Sequence, residues 1–140
     1  MENNINFKDE AKIFKALMHP TRIAILEILR DGEACVCHIN SILGHRQAYI
    51  SQQLSVLKNT GIVEVRRDGW NIYYRIVMPN ILEIIDGTRA IIGKGQMRII
   101  LKSDKCKCPK CISKAKALMK KENMFNEDGR RKTLLTKEQK

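Results

Sequence analysis

The chain has no uninterrupted apolar run near the roughly 18 residues that a bilayer-spanning helix needs, so no membrane segment is expected. Its first residues lack the basic-then-apolar pattern of a secretory leader, which points to a reducing, cytoplasmic setting. It carries no Gly-rich phosphate loop, no Ser/His/Asp order and no paired acidic site, so catalysis is not expected. No internal repeat is present. Histidine is scarce, at 3 residues, and none falls in 79–101.

What the chain does have is positive charge, unevenly placed. The formal net charge is +11 over 140 residues. Residues 1–101 carry 13 Lys/Arg against 10 Asp/Glu, and residues 102–140 carry 13 against 5. A basic chain gathers polyanions about itself, and here most of the basicity sits in the last 39 residues. The expected organisation is one domain over 1–101 followed by a basic Cys/Lys-rich tail over 102–140.

The 5 cysteines are an odd number. Cys35 and Cys37 lie in the domain, and Cys106, Cys108 and Cys111 in the tail. In a reducing compartment such thiols serve metal binding or redox chemistry more readily than structural disulfides. Thiolates select soft and borderline ions such as Zn, Cd, Pb, As(III) or Cu(I) over hard ones. Residues i and i+2 of a helix are separated by about 200°, so on a regular helix Cys35 and Cys37 would face nearly opposite sides. One ion can join them only if the helix start frays or re-forms, which would couple ligation to the neighbouring structure.

Apolar residues at 7, 11, 13, 14, 17 and 18 predict a first helix over Phe7–Met18. His19-Pro20 ends it, and a buried helix follows over Thr21–Arg30, stopped by Asp31-Gly32. A short helix is expected over Cys35–Leu43, closed by Gly44, and another over His45–Asn59, closed by Gly61. The period then changes. Ile62–Arg66 and Asn71–Ile76 are rich in β-branched and aromatic residues, and Asp68-Gly69 between them predicts a β-hairpin. Pro79 opens a last helix expected to run to about Ile100, apolar enough that a second copy of the chain is the economical partner. Ser113–Lys121 suits a short basic helix, and the polar stretch beyond Glu122 predicts disorder.

Two short helices joined at a glycine and followed by a hairpin are the parts of a winged helix-turn-helix. The expected class is α+β, mostly α, with a β-hairpin wing and a C-terminal dimerisation helix. The second of the two helices would enter the major groove of double-stranded DNA. Its outer face offers Arg46, Gln47, Ser51 and Gln52. Glutamine reads adenine with two hydrogen bonds, arginine reads guanine, and serine donates to bases or phosphates. The hairpin offers Arg66, Arg67 and Asn71 to phosphates or the minor groove.

Five segments occur in order: Ala16-Leu17-Met18-His19-Pro20-Thr21-Arg22, Cys35-Val36-Cys37, Ser51-Gln52-Gln53-Leu54-Ser55-Val56-Leu57-Lys58, Gly61-Ile62-Val63 and the Gly69–Arg75 hairpin. Together, over roughly residues 7–100, they resemble the ArsR/SmtB family of metal-sensing repressors. The resemblance implies a homodimeric repressor that binds its operator when metal-free and leaves it when an inducer binds. In the arsenic and cadmium/lead branches a CxC at this place supplies two inducer ligands, which implies that role for Cys35 and Cys37. The arsenic-type motif has a third cysteine where this chain has Asn40. The cadmium/lead type draws on an N-terminal cysteine arm that this chain lacks. The family's zinc site on the last helix uses Asp/His pairs; Glu83 and Asp86 are present here without a histidine, so that site is not carried over.

Missing ligands could come from the tail, where Cys108 and Cys111 have metal-ligand spacing, either joining Cys35 and Cys37 or binding an ion of their own with His38 or water. The expected ligand is a thiophilic ion: arsenite, Cd, Pb or Zn. Two alternatives use the same thiols. In one, the cysteines are a redox switch on a DNA-binding regulator. In the other, the tail CxxC belongs to a thiol oxidoreductase or metal chaperone, although no βαβ pattern precedes it.

Overall fold

In the computed structural model the described residues are 7–94, together with Cys106 and Ile112. The chain divides into two units, Met1–Ser103 and Asp104–Lys140. In the second, Cys106 is partly exposed and Ile112 is helical and exposed. The helix expected over Ser113–Lys121, the disorder expected beyond Glu122, and Cys108 and Cys111 lie outside the described residues. The architecture that follows is that of the first unit.

Helix α1 spans Lys8–Leu17 and α2 spans Pro20–Ile28. Between them, His19 is extended and its ring nitrogen accepts the Thr21 amide, so the residue before the proline caps the helix that the proline begins. A 3-10 turn, Leu29–Asp31, leads to a two-residue strand β1, Ala34–Cys35, then α3, Val36–Leu43, and α4, Gln47–Thr60. Strands β2, Val63–Asp68, and β3, Asn71–Ile76, form the hairpin, and α5 spans Ile81–Ile92. The sheet is antiparallel in the order β1-β3-β2. This is a winged helix-turn-helix, mostly helical, as expected.

Four local expectations need correction. Cys35 is not helical: it is extended, pairs with Tyr73 of β3, and caps α3 from outside. The reading helix starts at Gln47, with Arg46 as its extended cap, and not at His45. The hairpin loop is Gly69-Trp70, because Asp68 still pairs with Asn71. Gly69 has φ +60° and Trp70 does not have a positive φ, the signature of a two-residue turn whose first position favours glycine. The last helix closes at Gly93, whose φ of +76° places it in the left-handed region and turns its amide back to the carbonyls of Arg89 and Ala90.

The core explains why the helices pack as they do. Ile25 and Leu26 of α2, Ile39 of α3, Ile50, Leu54 and Leu57 of α4, and Ile62 are completely buried. On α4 these fall at i, i+4 and i+7, one apolar stripe, which leaves the opposite face of that helix to water. Among the described residues, apolar side chains also stay uncovered at Phe14 (62% exposed) on α1 and Met18 (77%) at its cap, and at Ile91 (88%) and Ile92 (62%) on α5.

Helix α5 is tied to α2 by a charge cluster. Arg30 reaches the Asp86 carboxylate at 2.8 and 3.0 Å and Glu27 at 2.8 and 3.2 Å, while Arg89 lies 3.1 Å from Glu27 and 3.4 Å from Asp86. Hydrogen bonds from Arg30 hold the Asp86 carboxyl below its ordinary range, and its bonds to Glu27 and then to Asp86 raise the Arg30 guanidinium above its own. The Asp86 carboxylate is thus occupied by guanidinium groups. Arg30→Ala is expected to cost roughly 1–2 kcal/mol in urea unfolding, between the values for exposed and buried pairs, because the Arg30 side chain keeps about a quarter of its surface. Since the folded carboxyl is the more acidic one, its contribution is present above the ordinary carboxylate range and disappears as the pH falls through the lower folded value. Melting curves of Asp86→Asn and the parent chain should therefore converge in acid; a gap that persists there would contradict the assignment.

Candidate functional site

The exposed face of α4 carries Gln47, Ala48, Gln52 and Ser55, with Arg46 exposed at its cap and Ser51 half-buried. Four of these six, Arg46, Gln47, Ser51 and Gln52, are the expected base-reading residues. Ala48 and Ser55 share that face, each four residues from one of them and so on the same helical row. The inner side of the helix is held by Tyr49. Its hydroxyl lies 3.3 Å from Thr21 Oγ1 and 3.3 Å from His19 Nε2, and the His45 ring leans on it at 5.0 Å between centroids. Because His19 Nδ1 accepts the Thr21 amide at 3.2 Å, the ring proton sits on Nε2, facing Tyr49. This network fastens the start of α4 to the start of α2, which fixes how far its outer face projects.

On the wing, Arg67 is exposed and Asn71 flanks the turn opposite Asp68. Trp70 at the tip is fully exposed. Arg75 is paired with Glu64. Arg66 differs from Arg67: its guanidinium makes a two-pronged contact with Glu33 at 3.0 and 2.6 Å and lies over the Tyr73 ring at 4.8 Å from the centroid. Its hydrogen bonds to the Glu33 carboxylate raise its pKa. Tyr73 follows from the predicted hairpin, which sets it opposite Arg66, whereas Glu33 carried no sequence signal for this role, because strand β1, which brings it near Arg66, is only two residues long.

The two domain thiols converge. Cys35 Sγ and Cys37 Sγ are 2.6 Å apart, and the His38 amide donates to Cys35 Sγ at 3.3 Å. The fraying that a regular helix would require is unnecessary, because Cys35 is extended at the cap and turns its sulfur toward the first helical turn. Cys35 is buried and Cys37 exposed, so one sulfur is part of the fold and the other faces outward. First-turn amides favour a negative sulfur at that cap. Two sulfurs are the right donor type for a soft ion, and to share one in tetrahedral geometry they would separate from 2.6 Å to about 3.8 Å. Asn40, on the same helix, has a buried side-chain oxygen with no hydrogen-bond partner. Cys106 belongs to the second unit, and Cys108 and Cys111 lie outside the described residues. Among the described residues no helix is long and apolar enough to cross a membrane.

Residues 19–65 match the model of the arsR family of bacterial regulatory proteins. A helix-turn-helix transcriptional regulator of Mycobacterium tuberculosis is 38% identical over 95 residues, 67% of this chain and 83% of that protein. Its crystal structure superposes with a TM-score of 0.57 over 63% of this chain and 89% of that one. A Staphylococcus aureus homologue of the cadmium resistance regulatory protein CadC is 37% identical over 82 residues, 58% of this chain and 68% of that protein. The solution structure of a homodimeric winged helix-turn-helix domain from Mycobacterium bovis, 29% identical, has a TM-score of 0.58 over 67% of this chain and 92% of that one.

Proposed function

The chain belongs to the ArsR family of bacterial regulatory proteins, and from that premise we propose that it is a homodimeric repressor released from its operator by a thiophilic ion bound at Cys35 and Cys37. As a member of that family it is a winged helix-turn-helix transcriptional regulator and not an enzyme. The observation that carries the finer reading is the convergence of two sulfurs at the cap of α3, the helix that braces the reading helix. Cd, Pb, Zn and arsenite are the candidate ions. Soft ions suit the sulfurs, and the similarity to the cadmium resistance regulator supports the same class. When bound, such an ion supplies a crosslink between two sulfurs and no catalytic chemistry. The tail thiols Cys106, Cys108 and Cys111 are proposed as further ligands on their donor chemistry alone.

The uncovered apolar faces of α1 and α5 support pairing of two copies, as in the homodimeric M. bovis domain. Two copies would present two α4 helices to two half-sites. On each, Arg46, Gln47, Ser51 and Gln52 face the bases, while Arg67 and Asn71 lie at the phosphate-facing edge of the wing. The cytoplasm is the proposed location.

The test begins with an operator selected from random DNA by the metal-free full chain. Two chains per duplex in sedimentation, and loss of binding on adding Cd, Pb, Zn or arsenite, are expected. Indifference to all four ions in chelator-treated protein, with release by a thiol oxidant alone, would replace ion sensing by the redox reading. Gln52→Ala should weaken binding to the selected site by about 1–3 kcal/mol and relax preference at one base pair. Equal weakening on every sequence would remove Gln52 from the base-reading set.

A further inference from the structure

We infer that Glu33, Arg66 and Tyr73 form a strut that carries the state of the thiol pair into the wing, so that Arg66 serves as a positioning residue rather than a phosphate contact. The inference rests on the proposed thiol sensing and adds the route by which it acts.

The parts are adjacent in sequence or register. Glu33 stands two residues before Cys35, on the segment that becomes β1. Cys35 pairs directly with Tyr73, and Tyr73 pairs across the hairpin with Arg66. The Arg66 guanidinium closes the circuit: it covers the Tyr73 ring and grips both Glu33 carboxylate oxygens. A planar guanidinium held by a two-oxygen fork and a ring face has its orientation specified in all directions, which a single ammonium contact would not achieve. The thiol segment is thus joined to the wing twice, by the backbone ladder at Cys35 and by side chains at Glu33.

This arrangement differs from that of Arg67, one residue on: both side chains are exposed, but among the described residues the carboxylate fork belongs to Arg66. For Arg66 to meet a phosphate it would have to leave a carboxylate. A displacement of Cys35 relative to Cys37 moves β1, and β1 cannot move without shifting either the Tyr73 pairing or the Glu33–Arg66 fork. An open depression of about 530 Å³, lined by Glu33 and Arg66 together with Leu29, Ile76, Pro79 and Leu82, lies beside the strut. Side chains in close contact resist compression and pass strain on, so a displacement at β1 reaches the wing through the contacts of the strut itself.

The experiment uses the full chain and two conservative variants, Glu33→Gln and Arg66→Lys. Glu33→Gln removes the charge that holds the fork. Arg66→Lys keeps a cation for any phosphate but loses the fork and much of the ring contact. Cadmium binding is followed by sulfur-to-metal absorption, DNA binding by anisotropy on the selected operator, and wing mobility by hydrogen exchange of residues 71–76. Both variants should take up cadmium as the parent does and bind DNA within about 3-fold of it, while the cadmium-induced loss of affinity, of the order of 5–150-fold for such couplings, falls below about 3-fold. Even without an ion, exchange in β3 should quicken in both.

If both variants release DNA like the parent, the strut is refuted and the sensing reading stands. If Glu33→Gln is silent while Arg66→Ala lowers both affinity and the salt dependence by one phosphate contact, Arg66 belongs to the DNA interface and the strut is equally refuted. If the parent chain responds to no ion and no oxidant, both readings fall together.

Discussion

Replacing Cys35 and Cys37 together by serine will leave the fold and operator binding intact and abolish release by thiophilic ions. The expected change is the whole coupling, some 5–150-fold in operator affinity at saturating ion. Serine is the informative substitution because Cys35 caps α3, accepting the His38 amide, and a serine hydroxyl caps a helix at least as well. The stability change should therefore stay within about 1 kcal/mol. Alanine at 35 would mix the loss of a cap with the loss of a ligand. Measured operator affinities with and without cadmium decide the matter. Unchanged release in the double-serine chain would remove the thiol pair from the sensing mechanism and leave the tail thiols to explain any response.

Leu54→Ala will weaken the domain by about 2–5 kcal/mol, the range for deleting a fully buried leucine side chain. Leu54 has no exposed surface, and it lies between Ile50 and Leu57 on the inner stripe of α4. A domain of this size is stable by roughly 5–15 kcal/mol, so the variant should lose a substantial part of its margin. Urea unfolding followed by circular dichroism gives the number. Val56 on the same helix, 37% exposed, is the control: its alanine variant should stay within about 0.5 kcal/mol. A cost below about 1 kcal/mol at Leu54 would mean that the stripe is not the anchor of the reading helix. Its consequence for function follows from geometry. Ser51 and Gln52 lie within one turn of Leu54, so whatever loosens that anchor also loosens the face offered to DNA.

Much of the architecture was legible from residues alone, for identifiable reasons. His19-Pro20 marks a boundary because the residue before proline avoids the helical region, and here it caps the helix that follows. Ile50, Leu54 and Leu57 mark a buried stripe because a helix returns to the same side at these intervals. Ile62–Arg66 and Asn71–Ile76 mark a hairpin because branched and aromatic side chains suit a pleated surface. The close succession of the thiols advertised soft-ion chemistry, since sulfur donors are recognisable by type wherever they lie.

What residue patterns could not supply was the backbone state at single positions and every contact between distant segments. The 200° argument for Cys35 and Cys37 assumed both lie on one helix, and a two-residue strand too short to have a period overturned it. The end of α5 was placed too late because apolar spacing continues past Gly93, whereas the left-handed backbone there ends the hydrogen-bond ladder. Arg66 and Arg67 are indistinguishable as letters. Their difference arises because β1 brings Glu33 beside one and not the other, across 33 residues of chain. Local preferences determined which elements this protein forms and which chemistry it holds. Only the tertiary structure decided which charges are engaged, where the two sulfurs point and what they are joined to, because those depend on segments meeting in space that no local pattern pairs.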